Sequence, residues 1–382
     1  MNESSEGHLM RICVITTVHS PKDIRIRKEL ETLRKSGHDV SFVAPEGEFP
    51  LTGIHYIPIR RHSGRMKRFL HSSKEALRRS LEVNADVYHF HDPELIPLGF
   101  KLKRAGKKVV YDIHEEYPSV ILMKNWIPRA LRRFVAKFAD NYERKAVSKF
   151  DGIVVVVPDQ LERFPDVKRF AVLPNYPDVD YLESKRSSST EGVVRFVYSG
   201  SIDIDRSIVE MIQAFMLLRK DYNIELNLLG PIFDSELKRM ISESARSCDG
   251  LNYMGFMSYE EAVECVAQND IGLMVMHRGR SKEISSPLKM FEYLTLGLPI
   301  IASDFEKWHE ILDERPCALF VDPDSPEDIS AKMETLIINT DLRAKMKENA
   351  KLISTKYSWK SVEERLLKLY SSISQDGPEL SK

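Results

Sequence analysis

The sequence predicts an α/β protein made of two doubly wound, Rossmann-like domains. Three observations carry that expectation. Residues 11–44 open on a strand–helix–strand pattern, the start of a parallel sheet with helices on its faces. The same pattern restarts at Val193, after a polar, Ser-rich stretch. The length of 382 residues suits two domains of ordinary size, and 42% apolar with 30% charged residues suits two water-facing bodies with large cores.

Residues 11–17 are an apolar run that reads as a buried strand. A helix follows over 24–36, with Ile26, Leu30 and Leu33 at helical spacing and Gly37 to close it. Residues 39–44 form the next strand. No glycine lies between Gly7 and Gly37, so the Gly-rich dinucleotide fingerprint is absent, which argues against a nicotinamide or flavin enzyme. The loop after the first strand instead carries His19, Asp23 and Arg25, at the strand's carboxyl end, where such sheets bind ligands. Solvated loop and helix charges explain these residues equally well at this stage. Residues 86–90 form a strand running into His91-Asp92-Pro93-Glu94, and residues 108–113 one running into His114-Glu115-Glu116. Two strands thus deliver histidines and carboxylates to one edge of the sheet, a common source of acid–base groups. Residues 151–157 are a further buried strand.

Residues 182–192 (Leu-Glu-Ser-Lys-Arg-Ser-Ser-Ser-Thr-Glu-Gly) are expected to link the domains, which would span 1–181 and 193–356, with a terminal segment at 357–382. In the second half, the strand 193–198 turns through Ser199-Gly200-Ser201 into a helix at 207–218, with Arg206 just before it. Gly200 lets a ligand approach the backbone closely. Further strands are expected at 224–229 and 271–276. A helix then begins at Ser286, the expected N-cap, with Pro287 at the first helical position, Gly297 after the last turn and Pro299 as a stop. The apolar run 299–302 reads as the strand that follows. That helix start offers free N–H groups and a partial positive charge. Lys289 lies in its first turn, and Glu292, three residues on, shares its face. A diphosphate at the helix mouth and a ribose diol one turn deeper would use both residues. The plainer alternative is an exposed Lys–Glu pair on an amphipathic helix.

The formal net charge of −1 conceals an asymmetry. Residues 1–180 hold 31 Lys and Arg against 24 Asp and Glu, and the remainder holds 25 against 33. A basic half and an acidic half suggest different partners for each. Residues 58–80 concentrate Arg60, Arg61, Arg65, Lys67, Arg68, Lys74, Arg78 and Arg79 against Glu75, with Met66, Phe69, Leu70 and Leu77 between them. A second basic stretch spans 124–149. Basic amphipathic segments suit an anionic membrane surface, with ordinary solvated helices as the alternative. No nucleic-acid motif accompanies the charge, so nucleic acid is not an expected partner. Cys13, Cys248, Cys265 and Cys317 have no pairing or metal spacing and read as reduced thiols. No metal is expected, since the Asp203-Ile204-Asp205 spelling of metal-dependent transferases is short enough to occur by chance. Residues 1–10 are polar and acidic, unlike a signal peptide, and no apolar run approaches about 18 residues.

The stretch Ser286-Pro287-Leu288-Lys289-Met290-Phe291-Glu292-Tyr293-Leu294, followed by Gly297-Leu298-Pro299-Ile300-Ile301-Ala302-Ser303, resembles the nucleotide-sugar motif of retaining GT-B glycosyltransferases of family 4, the group 1 glycosyltransferases. Leu173-Pro174-Asn175 resembles the family's Pro-Asn-Gly stretch, with Tyr176 in place of the glycine. The resemblance covers residues 10–370. It implies two Rossmann-like domains facing a cleft, an acceptor on the first, a UDP- or GDP-linked sugar on the second, and a terminal helix crossing back to the first. It implies that Glu292 holds the donor ribose and that Glu283, Ser286, Pro287, Leu288, Gly200 and Ser201 surround the diphosphate and sugar. Met254 and Phe256 would lie near the base, and Arg206 and Lys289 would neutralise the leaving diphosphate. The family's first glutamate would fall on Ile284; Glu283 stands one residue earlier. The arginine expected after Gly200 is Ser201, which leaves more of the charge to Arg206. His114 would act near the reaction centre, and His19, Asp23, Arg25, His91, Asp92 and Glu115 are acceptor-side candidates. The resemblance implies front-face attack with retention and no cofactor. The expected role is polysaccharide or glycolipid synthesis on a glycan or lipid-linked acceptor, in the cytoplasm and peripheral to the membrane's inner face. A sugar-nucleotide epimerase of the same fold and a non-catalytic nucleotide-sugar-binding protein of a polysaccharide assembly complex are the alternatives.

Overall fold

Apolar runs flanked by turn residues become two sheets in which every strand pairing is parallel. The computed structural model describes residues 9–375, apart from 63, 65–70, 123, 125–126, 187–191, 280–282 and 284–285. The chain divides into one unit of Met1–Pro174 with Lys360–Lys382 and a second of Asn175–Trp359. The division thus falls before the boundary expected at residue 181. Its physical reason is a short helix, Val179–Glu183, whose Leu182 is fully buried in the second unit's core. Leu182 is therefore not linker.

The first unit is a seven-stranded sheet in the order β3-β2-β1-β4-β5-β6-β7. Its strands are β1 (Arg11–Ile15), β2 (Asp39–Pro45), β3 (His55–Ile59), β4 (Val87–His91), β5 (Lys108–Ile113), β6 (Gly152–Val155) and β7 (Phe170–Val172). The order reverses between β1 and β4, which opens a crevice at their carboxyl ends. Its helices are α1 (Ile24–Lys35), α2 (Ser73–Val83), α3 (Ile96–Arg104), α4 (Tyr117–Leu122) and α5 (Arg129–Val147). Asp23 caps α1 by accepting from the Ile26 N–H at 3.1 Å, and Ile26, Leu30 and Leu33 are buried as the spacing predicts.

The second unit is a six-stranded sheet in the order β10-β9-β8-β11-β12-β13. Its strands are β8 (Val194–Ser199), β9 (Ile224–Leu229), β10 (Leu251–Gly255), β11 (Ile271–Met274), β12 (Ile300–Ser303) and β13 (Ala318–Val321). After α6 (Val179–Glu183) its helices are α7 (Ile208–Leu218), α8 (Ser235–Ser247), α9 (Tyr259–Ala267), α10 (Leu288–Leu296), α11 (Glu306–Leu312), α12 (Pro326–Ile338) and α13 (Thr340–Ser354). The last helix, α14 (Glu363–Ser374), belongs to the first unit. Its Leu366, Leu369, Tyr370 and Ile373 are buried, and Tyr370 Oη lies 2.9 Å from His89 Nδ1 on β4.

Two contacts seat α10. A Cβ on Gly272 of β11 would lie 2.4 Å from the Tyr293 ring, so the strand passes the helix only because that residue is glycine. The Tyr293 hydroxyl accepts the Ser199 N–H at the end of β8 at 3.0 Å. The helix begins at Leu288, with Pro287 extended in the cap position at ψ 140°, so Ser286 is not the N-cap as expected. Proline's fixed φ suits both places, and here the chain turns helical one residue later. Gly297 takes the left-handed end at φ 75°. The strands not foreseen, β3, β7, β10 and β13, are the edges of the two sheets. Met254 accordingly sits on β10.

Gly272→Ala is expected to overpack this contact and destabilise the second unit by roughly 1–3 kcal/mol. Thermal unfolding reads this as a loss of about 2–4 °C per kcal/mol in that unit's transition.

Candidate active site

In the second unit, β8 delivers Ser199 and Gly200 to the point where the strand order reverses between β8 and β11. A cavity of about 300 Å³ opens there, lined among others by Gly200, Arg206, Tyr259, Lys289 and Glu292. Gly200 has φ +135°, a conformation that disfavours any side chain, and a Cβ there would stand 3.6 Å from Lys289 Nζ. Lys289 is 9% exposed, and its Nζ has no hydrogen-bond partner. The ammonium lies 3.9 Å from the centre of the Tyr198 ring. Burial pushes its pKa down to about 7; the Arg206 charge acts in the same direction, and Asp203 and Glu292 oppose it. An ammonium desolvated this far without an oxygen partner is costly, and a bound anion would repay that cost. The start of α10 faces the same space, since Pro287 and Leu288 line it as well.

Arg206 is one-third exposed, its Nε 3.8 Å from Asp203 Oδ2. Glu292 lies one turn below Lys289 and pairs with the Tyr259 phenol, whose pKa is raised by burial and then by the Glu292 charge. Ser201 lines the cavity. Ser286, Met254 and Phe256 do not, and Phe256 is 79% exposed. Glu283 also lies outside the lining; its Oε1 accepts the Gly279 N–H at 2.9 Å, and its own N–H donates to the Gly279 carbonyl at 3.0 Å. Tyr198 and Tyr259 are cavity residues that no motif signalled.

In the first unit, the carboxyl ends of β1, β4 and β5 bring His19, Asp92 and His114 together. His19 Nδ1 lies 3.0 Å from Asp23 and its Nε2 3.1 Å from Asp92. Burial alone would lower its pKa, but these hydrogen bonds and charges raise it to about 10. Its ring centroid is 5.0 Å from that of His114. Asp92 sits at φ 81°, unusual for a side-chain-bearing residue, and is held there with its Oδ2 accepting the Thr16 hydroxyl at 2.9 Å. His114 Nε2 is 2.8 Å from His91 Nδ1, and burial lowers the His114 pKa. Glu115 is exposed and outside this network.

Arg25 and His91, expected on the acceptor side, lie in the interior instead. Alternation along β4 puts His89 and His91 on one face, where both approach Glu29 of α1, at 4.0 and 3.7 Å. Arg25 is spent inward, on both Asp112 oxygens at 3.2 Å and the Leu173 carbonyl at 2.7 Å. Glu29, His89 and Asp112 complete this buried group. Their sequence signal was faint: a glutamate inside the apolar stripe of α1 and a His-x-His alternation. Burial acts to raise the Asp112 pKa, but Arg25, His114 and His89 together hold it low, whereas burial and the neighbouring Asp112 push Glu29 well up. No metal is expected from the sequence, yet Glu29, His89, His91 and Asp112 converge in the interior, with 59 residues of chain or more between Glu29 and the rest.

Two family models match adjoining stretches of the chain. That of glycosyltransferase family 4 covers residues 24–181, and that of glycosyl transferases group 1 covers residues 182–353 and with them the whole cavity. The chain belongs to the group 1, family 4 glycosyltransferases. An uncharacterised glycosyltransferase of Methanocaldococcus jannaschii is 23% identical over 72% of each chain. A phosphatidyl-myo-inositol mannosyltransferase of Mycolicibacterium smegmatis is 20% identical over 91% of this chain and 89% of that one. A sucrose-phosphate synthase structure from Thermosynechococcus elongatus superposes with a TM-score of 0.72 at 14% identity, covering 96% of this chain and 100% of that one. The glycosyltransferase thus has the two Rossmann-like units of the GT-B fold that the sequence predicts.

His19 titrates above its ordinary 6.5, at about 10, so the fold favours its charged form. The stability this contributes is fully present below pH 6.5 and is lost as pH rises through about 10. The melting-temperature difference between wild type and His19→Gln is therefore expected to be level in acid and to shrink between pH 6.5 and 10. A difference that stayed level to pH 10 would mean an uncharged His19.

Proposed function

We propose that this glycosyltransferase moves a sugar from a UDP- or GDP-linked donor, with retention, to a glycan or lipid-linked acceptor. The observation that carries the reading is the Lys289 ammonium, buried without a hydrogen-bond partner beside Gly200, Arg206 and the start of α10. A diphosphate supplies the oxygens that this group lacks, and Glu292, one turn deeper, accepts from the ribose hydroxyls. In the reaction the bond from the anomeric carbon to the diphosphate oxygen breaks. Charge develops on that oxygen, and Lys289, Arg206 and the helix N–H groups stabilise it. The acceptor hydroxyl attacks from the face the diphosphate leaves and passes its proton to the departing phosphate oxygen. This route keeps the anomeric configuration and needs neither a protein nucleophile nor a metal on the diphosphate. His114 is the acid–base candidate in this reading, and its Nδ1 is the atom it would use, since its Nε2 is engaged by His91.

Lys289→Ala is expected to weaken binding of a nucleoside diphosphate sugar by roughly 1.5–3 kcal/mol in calorimetry, as for a charge-assisted hydrogen bond. The wild-type affinity is expected to fall as pH rises past about 7, where the ammonium of the free protein loses its proton. The donor's own phosphates do not titrate in that range. Mn²⁺ should leave the affinity unchanged. A level affinity from neutral to alkaline pH, together with a wild-type-like Lys289→Ala, would remove the diphosphate from this site. Transfer of labelled sugar from a donor panel then separates turnover from binding.

A lipid-linked acceptor is supported by the name of the mycobacterial relative and by α5. That helix exposes Leu131, Phe134 and Phe138, the phenylalanines by about two-thirds or more, beside Arg129, Arg133 and Lys137. Of the basic segment 58–80, residues 63 and 65–70 lie outside the described residues, and Arg78 and Arg79 pair with Glu82. No helix among the described residues is long and apolar enough to cross a membrane. Reversible contact through α5 predicts salt-sensitive binding to anionic vesicles that Phe134→Asp with Phe138→Asp abolishes while donor binding stays intact. Equal, negligible sedimentation with anionic and neutral vesicles would turn the reading towards a water-borne acceptor.

A further inference from the structure

We propose that Glu29, His89, His91 and Asp112 bind one divalent transition-metal ion of the zinc kind inside the first unit, as a structural and positioning centre apart from the donor site. One potential ligand atom from each residue lies within 4.8 Å of every other. His91 Nε2 stands 3.7 Å from Glu29 Oε2, and His89 Nε2 stands 4.0 Å from that oxygen and 3.8 Å from Asp112 Oδ2. Ligand atoms about 2.0–2.2 Å from a tetrahedral ion sit roughly 3.3–3.6 Å apart, so the pairs at 3.7–4.0 Å close by a few tenths of an ångström and the widest pair by about 1 Å. The residue types, two imidazoles and two carboxylates, suit zinc and its first-row neighbours.

Three observations point to a cation site rather than to a merely crowded interior. First, all four side chains are at most 1% exposed, yet Glu29 Oε2, His89 Nε2 and His91 Nε2 have no hydrogen-bond partner, and Glu29 Oε1 meets Arg25 Nε at 3.3 Å without a hydrogen bond. Buried polar atoms are nearly always paired, and three orphans around one point are exceptional. Second, the remote imidazole nitrogens are already engaged, His89 Nδ1 by Tyr370 Oη at 2.9 Å and His91 Nδ1 by His114 Nε2 at 2.8 Å. Asp112 is likewise held by Arg25. Outer partners of this kind fix the tautomer and aim of a metal-binding histidine. Third, two carboxyl groups face each other. A proton shared between Glu29 and Asp112 would settle their repulsion but leave both histidine Nε2 atoms unpaired. A divalent ion satisfies all four groups at once.

With Nε2 on the ion, each histidine must carry its proton on Nδ1. His89 then donates to Tyr370, which ties α14 to β4. His91 donates to His114 Nε2, which leaves His114 protonated on Nδ1. The ion therefore positions His114 without touching substrate.

Elemental analysis of the untagged full chain, grown with zinc, manganese and cobalt supplied, is the test. About one ion per chain is expected to survive desalting. Stripping it with a strong chelator should lower the melting temperature, and zinc should restore it. Glu29→Gln decides between ion and proton, because its amide can donate to Asp112 in place of a shared proton. The ion reading expects this variant to lose the metal and the zinc response; a shared proton expects it to melt like wild type with no metal in either protein. Less than about a tenth of an ion per chain, with no melting shift on adding metal, would overturn the proposal. These readouts do not depend on sugar transfer, so they stand or fall apart from the donor-site reading.

Discussion

The second unit turns on one hydrogen bond, from the Ser199 N–H to the Tyr293 hydroxyl. It joins the carboxyl end of β8 to the middle of α10, and Gly272 allows the tyrosine ring to lie flat enough on β11 to reach. Because Tyr293 is buried, its ring cannot shift to follow a displaced strand. Gly200, the next residue of the chain, and Lys289, one turn earlier on the helix, inherit their separation from this bond. The residues that face the ligand space are thus positioned by one that does not, and the same short motif supplies both.

Each unit handles buried charge in its own manner. In the second, Lys289 is buried short of partners, and burial brings its protonation to the edge of neutrality. In the first, charge is balanced in layers. His19 is sandwiched by Asp23 and Asp92 near the surface, His114 and His91 follow, and Arg25 with Asp112 lies beneath. The outer layer is a charged imidazolium and the inner histidines are neutral, since burial drives His89 and His91 down. Proton positions along this stack are therefore ordered by depth.

The sequence was most legible where a residue's role is local. The buried central strands and the glycine end of α10 follow from apolar runs and backbone preferences, and so does the placing of Lys289 and Glu292 on one face. The edge strands escaped because one side of each meets solvent; β3 carries Pro58, and β7 is three residues long. Arg25 and His91 show the other limit. Their types and their loop-end addresses suggest a surface site, but which way a side chain points at a strand end depends on pairing with elements far along the chain. Glu29 joins Asp112 across 82 intervening residues, a proximity that no spacing rule contains. The start of α10 was misplaced by one residue because proline is equally at home on either side of a helix boundary.

The membership of α14 in the first unit has a consequence for how the chain is made. The second unit is whole once residue 359 has been synthesised, but the first must wait for a segment that begins at residue 360. Until then β6 lacks the leucine and isoleucine that cover Gly152, and His89 lacks the Tyr370 hydroxyl. Domains generally fold as units in order of synthesis, N-terminal first. This chain inverts that order: the half that emerges first from the ribosome is the last to be completed.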